Sequence, residues 1–90
     1  MRLHYSAHLN LDGRLSAPFD SSAARGTPLV CRVGASQLVA GLDDALPLMS
    51  KGERSRLTVP PARAYGPRGF PPIIPPDSVV VYDVEMLAVD

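Results

Sequence analysis

The sequence contains no tryptophan, one cysteine and two histidines among its 90 residues. A single cysteine, Cys31, excludes an internal disulfide and any site built on several thiolates, which suits a reducing compartment; it reads as core filler. Nine basic residues face nine acidic ones, so no long-range field gathers the chain onto nucleic acid or an anionic membrane. No apolar run approaches the ~18 residues that a membrane-spanning helix needs. Met1 leads into Arg2-Leu3-His4 instead of a signal-peptide core. These absences together predict a soluble, cytoplasmic chain with neither nucleic acid nor membrane as a partner.

What is present is 46% hydrophobic residues, enough for one compact domain over residues 1–90, since a chain of this size buries roughly 60 to 65% of its unfolded surface. Residues 2–10 alternate, with Leu3, Tyr5, Ala7 and Leu9 on one side and Arg2, His4, Ser6, His8 and Asn10 on the other, as in a half-buried strand. Asp12-Gly13 is a turn pair, after which residues 19–21 resume a short return strand and residues 21–26 form an exposed loop. Residues 28–33 predict a strand ended by Gly34, with Leu29, Cys31 and Val33 on one face and Val30 and Arg32 on the other.

Ser36 can cap the one credible helix, whose stripe of Leu38, Leu42, Leu46 and Met49 recurs at spacings of four, four and three. Pro47 limits it to two or three turns. Past the Lys51-Gly52 turn, residues 53–59 alternate into a strand. Seven of the ten prolines fall in residues 60–76, which excludes a ladder strand or a helix there and predicts a stiff loop. Tyr65, Phe70, Ile73 and Ile74 within it need something to pack against. A final strand over residues 78–89 turns Val80, Tyr82, Val84 and Met86 one way, and Asp83 and Glu85 the other. No internal repeat is present.

Much chemistry is missing from this pattern. Gly66 and Gly69 are flanked by prolines and precede no helix, so they offer a phosphate no helix N-terminus. His4 and His8 share a strand face ~13 Å apart at strand rise and read as solvent-facing residues, not ligands. No serine occupies a nucleophile elbow, and Cys31 has no cationic neighbour in sequence to activate it. Asp43-Asp44 near the helix start complements its dipole, and Arg54 and Arg56 keep a strand edge soluble. No cofactor or metal is called for.

The segments His4-Tyr5-Ser6, Phe19-Asp20-Ser21-Ser22, Val39-Ala40-Gly41-Leu42, Met49-Ser50-Lys51-Gly52-Glu53, Ala64-Tyr65-Gly66, Ile73-Ile74-Pro75-Pro76 and Tyr82-Asp83-Val84-Glu85 occur in an order that resembles the FKBP-type peptidyl-prolyl isomerases. The resemblance implies an α+β fold, a curved antiparallel β-sheet wrapped around one short α-helix, with a cleft between them. Family members begin with an N-terminal edge strand beside residues 53–59. This sequence starts inside the next strand, so that edge is expected to stand unpaired.

The same resemblance implies the site. Tyr5, Phe19, Asp20, Tyr65 and Tyr82 take the catalytic positions, and Leu29, Leu38, Val39, Leu42, Phe70, Ile73 and Ile74 the substrate-binding ones. In the family's manner, Tyr5, Phe19 and Tyr82 enclose a proline ring. The Val39 N–H and the Tyr65 hydroxyl hold carbonyls, and Asp20 positions polar groups. The implied activity is rotation about X-Pro bonds of protein segments, assisting folding. The implied ligands are proline-containing polypeptides and the macrolides tacrolimus and rapamycin.

Leu42 departs from this pattern where active members carry a tryptophan floor, and the lost ring surface at ~25 cal/mol per Å2 amounts to one or two kcal/mol of binding. Leu29 replaces a common aromatic wall and Phe70 a frequent histidine. Insertions around Leu11 and over residues 15–18 lengthen the approach to Phe19. The alternative is a non-catalytic or weakly active protein-binding or chaperone module, which Leu42 favours. A third reading, the Pro-rich loop as a ligand for proline-recognition domains, conflicts with Ile73 and Ile74 folding back to the cleft.

Overall fold

The computed structural model describes residues 1–32 and 38–89. Six strands form one antiparallel sheet that curls around a short helix: β1 (Arg2–Leu11), β2 (Arg14–Leu15), β3 (Asp20–Ser21), β4 (Leu29–Val30), β5 (Arg54–Val59) and β6 (Val80–Ala88), with α1 (Ala40–Ala45). The strand order is β2-β1-β6-β5, and β3 and β4 also pair with β1. β6 is therefore central, bonded to β1 on one side and to β5 on the other.

The predicted alternation of β1 places Leu3 and Ala7 in the core, facing Met86 and Tyr82 of β6. The Asp12-Gly13 turn closes a tight hairpin, with Leu11 opposite Arg14. Both turn residues have positive φ, 53° and 87°, which suits the twist of two-residue hairpins. This hairpin uses residues 14–15 as a strand that their sequence pattern does not announce. β1 thus has its second edge covered in three stretches, by β2, β3 and β4.

The strand expected over residues 28–33 is ladder-paired only at Leu29–Val30. Its faces are as expected, with Cys31 buried and Val30 and Arg32 exposed. Val33, Gly34 and Ser36, expected to end the strand and cap the helix, lie outside the described residues. Val39 is the N-cap, without a side-chain cap bond. α1 runs six residues and continues into a 3-10 turn at Leu46–Leu48. Pro47 tolerates that first-turn position, where its missing N–H leaves no donor unpaired.

Leu42, Leu46 and Met49 of the stripe are buried and Leu38 is half-buried. Gly41 lets the helix approach β5 closely, because a Cβ there would sit 2.5 Å from a Val59 methyl. The Pro-rich stretch holds two 3-10 turns, Pro61–Arg63 and Gly66–Arg68, each with proline in its opening positions. A Phe70–Ile74 bridge ties the loop, with Phe70 N–H donating to Ile74 O at 2.8 Å and Ile74 N–H to Phe70 O at 2.9 Å.

Two sequence expectations need correction. Ser22, placed in an exposed loop, is fully buried, because its Oγ accepts the Tyr5 N–H at 2.8 Å. His4 and His8 are not free in solvent: His4 Nδ1 lies 2.9 Å from Ser22 Oγ, and His8 Nδ1 lies 3.0 Å from Ser16 O. Arg54 and Arg56 do project from the β5 edge, but each is paired, with Glu85 at 3.2 Å and Asp83 at 2.8 Å. Among the described residues, no group of His, Cys, Asp and Glu side chains could hold a metal, and no helix is long and apolar enough to cross a membrane.

Candidate functional site

Between the inner face of the sheet and α1 lies a cleft of about 500 Å3. β1 supplies Leu3 and Tyr5, β3 Asp20, β4 Leu29, and β6 Tyr82 and Val84. The helical side supplies Leu38, Val39, Leu42 and Leu46, and the Pro-rich stretch supplies Tyr65. These positions converge because strand alternation sends every second residue inward, while the stripe on the helical segment faces the same space. A more open depression of about 520 Å3 lies on the outer face, between Ser21 and Ala23 on one side and Arg54 and Arg56 on the other.

The Tyr5 and Tyr82 rings meet at 6.4 Å, tilted by 52°, within the range of favourable aromatic pairs. Ala7 is opposite Tyr82 in the ladder, and so small a neighbour leaves the ring room to lean over the cleft. Tyr82 is 4% exposed. Burial above all, and the Tyr65 hydroxyl beside it, push its phenol far above the ordinary range. Burial and the bond to Asp20 also raise Tyr5. Both rings therefore remain neutral phenols at physiological pH.

A polar corner closes one end. Tyr5 Oη donates to Asp20 Oδ2 at 2.5 Å. The Arg25 guanidinium donates to the other Asp20 oxygen and, at 3.0 Å, to Tyr5 Oη. Its Cζ stands 5.7 Å from the Tyr5 ring centre, a cation over a π face. Partial burial pushes the Asp20 carboxyl upward, but the bonds from Tyr5 and Arg25 prevail and hold it below the usual carboxylate range. The corner is a neutralised, fully engaged cluster.

Of the twelve residues expected at the site, Tyr5, Asp20, Leu29, Leu38, Val39, Leu42, Tyr65 and Tyr82 line the cleft. Four others do not. Phe19 packs half-buried against the core, its N–H bonded to Ala7 O at 2.8 Å. Ile74 is buried beneath the loop, whereas Phe70 and Ile73 are 60% and 50% exposed. Phe70 keeps a link to the cleft through Tyr65, with ring centres 6.3 Å apart.

Sequence reasoning missed Arg25, which sits in a small-residue stretch with no periodic signal; only its spacing of five from Asp20 across a turn hints at a pair. It also missed Leu3, Leu46 and Val84 as cleft residues. Alternation and the stripe mark them as inward-facing, but the pattern does not separate a core wall from a cleft wall.

A model of the FKBP-type peptidyl-prolyl cis-trans isomerases matches residues 1–87. The chain belongs to that family. It is 48% identical over 88 residues to a Schizosaccharomyces pombe protein named peptidyl-prolyl cis-trans isomerase, covering 98% of this chain and 75% of the relative. FK506-binding protein 1 of Saccharomyces cerevisiae is 47% identical, with 98% and 74% covered. FK506-binding protein 1A of Aspergillus fumigatus is 40% identical, with 98% and 75% covered. The FKBP-type fold expected from the motifs is the one observed, with one short helix among the described residues packed against a curled sheet.

Proposed function

We propose that residues 1–90 act as one FKBP-type domain that catalyses rotation about X-Pro peptide bonds of protein segments bound in the cleft. The observation that supports this most directly is the convergence of Tyr5, Tyr65 and Tyr82 with Leu29, Leu38, Val39 and Leu42 on one cavity. Rotation must overcome an amide barrier of ~18–20 kcal/mol, and it requires no nucleophile or proton donor, only a surrounding that prefers the twisted amide. The planar amide is the more dipolar form, so transfer from water into an apolar, ring-walled space raises the ground state relative to the transition state. In this reading Tyr5 and Tyr82 flank the prolyl ring, Leu42 forms its floor, the Val39 N–H and the Tyr65 hydroxyl hold substrate carbonyls, and Asp20 orders the polar corner.

Phe19 and Ile74 then support the walls from behind, and Phe70 and Ile73 form an outer apolar rim for the residues flanking proline. The lone buried thiol, Cys31, suits action in the cytoplasm. FK506 is proposed as a ligand of the same cleft, on the strength of the names of the relatives, with affinity lowered by Leu42. A protease-coupled assay on a proline-containing peptide tests the activity. Acceleration that Tyr65→Phe and Tyr82→Ala reduce supports it; folded protein at the background rate leaves the alternative, a binding module. That alternative has its own support in the missing ring at Leu42.

A further inference from the structure

We propose that the Tyr82 hydroxyl is a positioning group: it donates to the Tyr65 oxygen and so turns the Tyr65 proton into the cleft, where a substrate carbonyl accepts it. This rests on the proposed function, in which the Tyr65 hydroxyl holds such a carbonyl, and it gives Tyr82 a task that its ring does not perform. Tyr65 is well held everywhere except at its proton. Its backbone sits between the 3-10 turns Pro61–Arg63 and Gly66–Arg68, and its ring leans on Phe70 with centres 6.3 Å apart. Packing of this kind fixes a ring, but a hydroxyl proton rotates to suit its surroundings. Only a hydrogen bond selects its direction.

Tyr82 supplies that bond. Both side chains line the cleft, and the Tyr82 hydroxyl is hydrogen-bonded to that of Tyr65. Tyr82 is buried, and a buried phenol must place its proton on an acceptor. Tyr5 and Asp20 act on it only through charge; the two Asp20 oxygens already accept from Tyr5 and Arg25. Tyr65 Oη is the acceptor that remains. The polarity of the pair follows from its surroundings. Apart from the Tyr5–Asp20 corner, the other side chains lining the cleft are leucine and valine, which accept nothing. Were Tyr65 the donor, the Tyr82 proton would be buried without an acceptor, which is costly. With Tyr82 as donor that proton is satisfied, and the proton left to give belongs to the half-buried Tyr65. Burial above all, and then Tyr65, hold the Tyr82 phenol far above its ordinary range, so the donor keeps its proton at physiological pH. A hydroxyl that accepts one bond is polarised toward donating the next. The chain from Tyr82 through Tyr65 therefore both aims the contact with the carbonyl and strengthens it.

In the peptide assay Tyr82→Phe, which keeps the ring and removes the hydroxyl, is expected to lower kcat/KM about three- to tenfold, chiefly through KM, because the carbonyl contact is made in ground and transition states alike. Tyr65→Phe is expected to lose at least as much. The double variant is expected to lose no more than Tyr65→Phe alone, since a group that acts through another has no effect once that other is gone. The chain has three tyrosines, so each ring signal in the nuclear magnetic resonance spectrum of isotope-labelled protein is assigned by its loss from the matching phenylalanine variant. The Tyr65 Cζ signal is expected to move in Tyr82→Phe. In the unaltered protein the Tyr82 hydroxyl proton is expected as a slowly exchanging resonance with a nuclear Overhauser contact to the Tyr65 ring, a readout that stands even where a variant fails to fold. An unaltered protein at the background rate overturns the isomerase reading, and the same cycle is then read on the dissociation constant of the peptide. Losses that multiply in the double variant, or a Tyr65 signal unmoved by Tyr82→Phe, overturn the positioning role whatever the rate.

Discussion

At the scale of single residues, the cleft floor and the polar corner control different quantities. Leu42 is buried beneath the proposed prolyl position, where an indole would present more apolar surface. Leu42→Trp is expected to raise kcat/KM in the peptide assay about tenfold, which corresponds to ~1.4 kcal/mol of added transition-state stabilisation; an unchanged value would mean that the floor does not contact the reacting ring. Under the proposed function, Arg25 acts through the Asp20 and Tyr5 groups to which it is bonded and does not touch substrate. Arg25→Met is expected to lower kcat/KM severalfold, largely through KM, while lowering the melting temperature by no more than about 4–8 °C, because exposed charge pairs contribute at most ~1 kcal/mol. A matching loss in Tyr5→Phe would place both side chains in one positioning unit.

At the scale of elements, two glycines set how closely segments approach. Gly41→Ala is expected to lower stability by ~1–3 kcal/mol through overpacking against Val59, read as a fall in melting temperature of about 4–8 °C per kcal/mol. Gly69 has φ +63° and faces the Ile74 and Pro75 carbonyls, so Gly69→Ala is expected to displace the Phe70–Ile73 rim and to weaken peptide binding more than global stability. Neither close approach is visible in the sequence, since each depends on what another element places opposite the glycine. β1, β5 and β6 are legible there because alternation over six or more residues has one physical meaning. β2, β3 and β4 are two-residue pairings, and nothing so short leaves a periodic trace. The cleft was legible through its motifs, whereas Arg25 and Ser22 took their roles from the way residues 20–26 fold back over β1.

For the whole molecule, the acid limb of stability follows from carboxylates held low. The bonds to Arg56 lower Asp83; Asp20 ends below its usual value despite the opposing pull of burial. A group whose folded pKa is depressed contributes stability above its unfolded value, about 3.9 for aspartate, and loses it as pH falls through the folded one. Urea midpoints are therefore expected to be flat near neutrality and to drop below about pH 4. Asp83→Asn is expected to be less stable than the parent at pH 7 and to match it at low pH; a constant difference across that range would assign its effect to packing.

The position of β6 carries one more consequence. β6 follows β1 and β5 in the sequence yet lies between them in the sheet, so those two strands have no shared neighbour until it has been synthesised. Residues 80–88 must clear the exit tunnel before the two ladders can close, so sheet assembly waits on pairings between distant segments. Until then, a protein proposed to help others fold is itself a nascent client with its greasy inner face open to any chaperone waiting there.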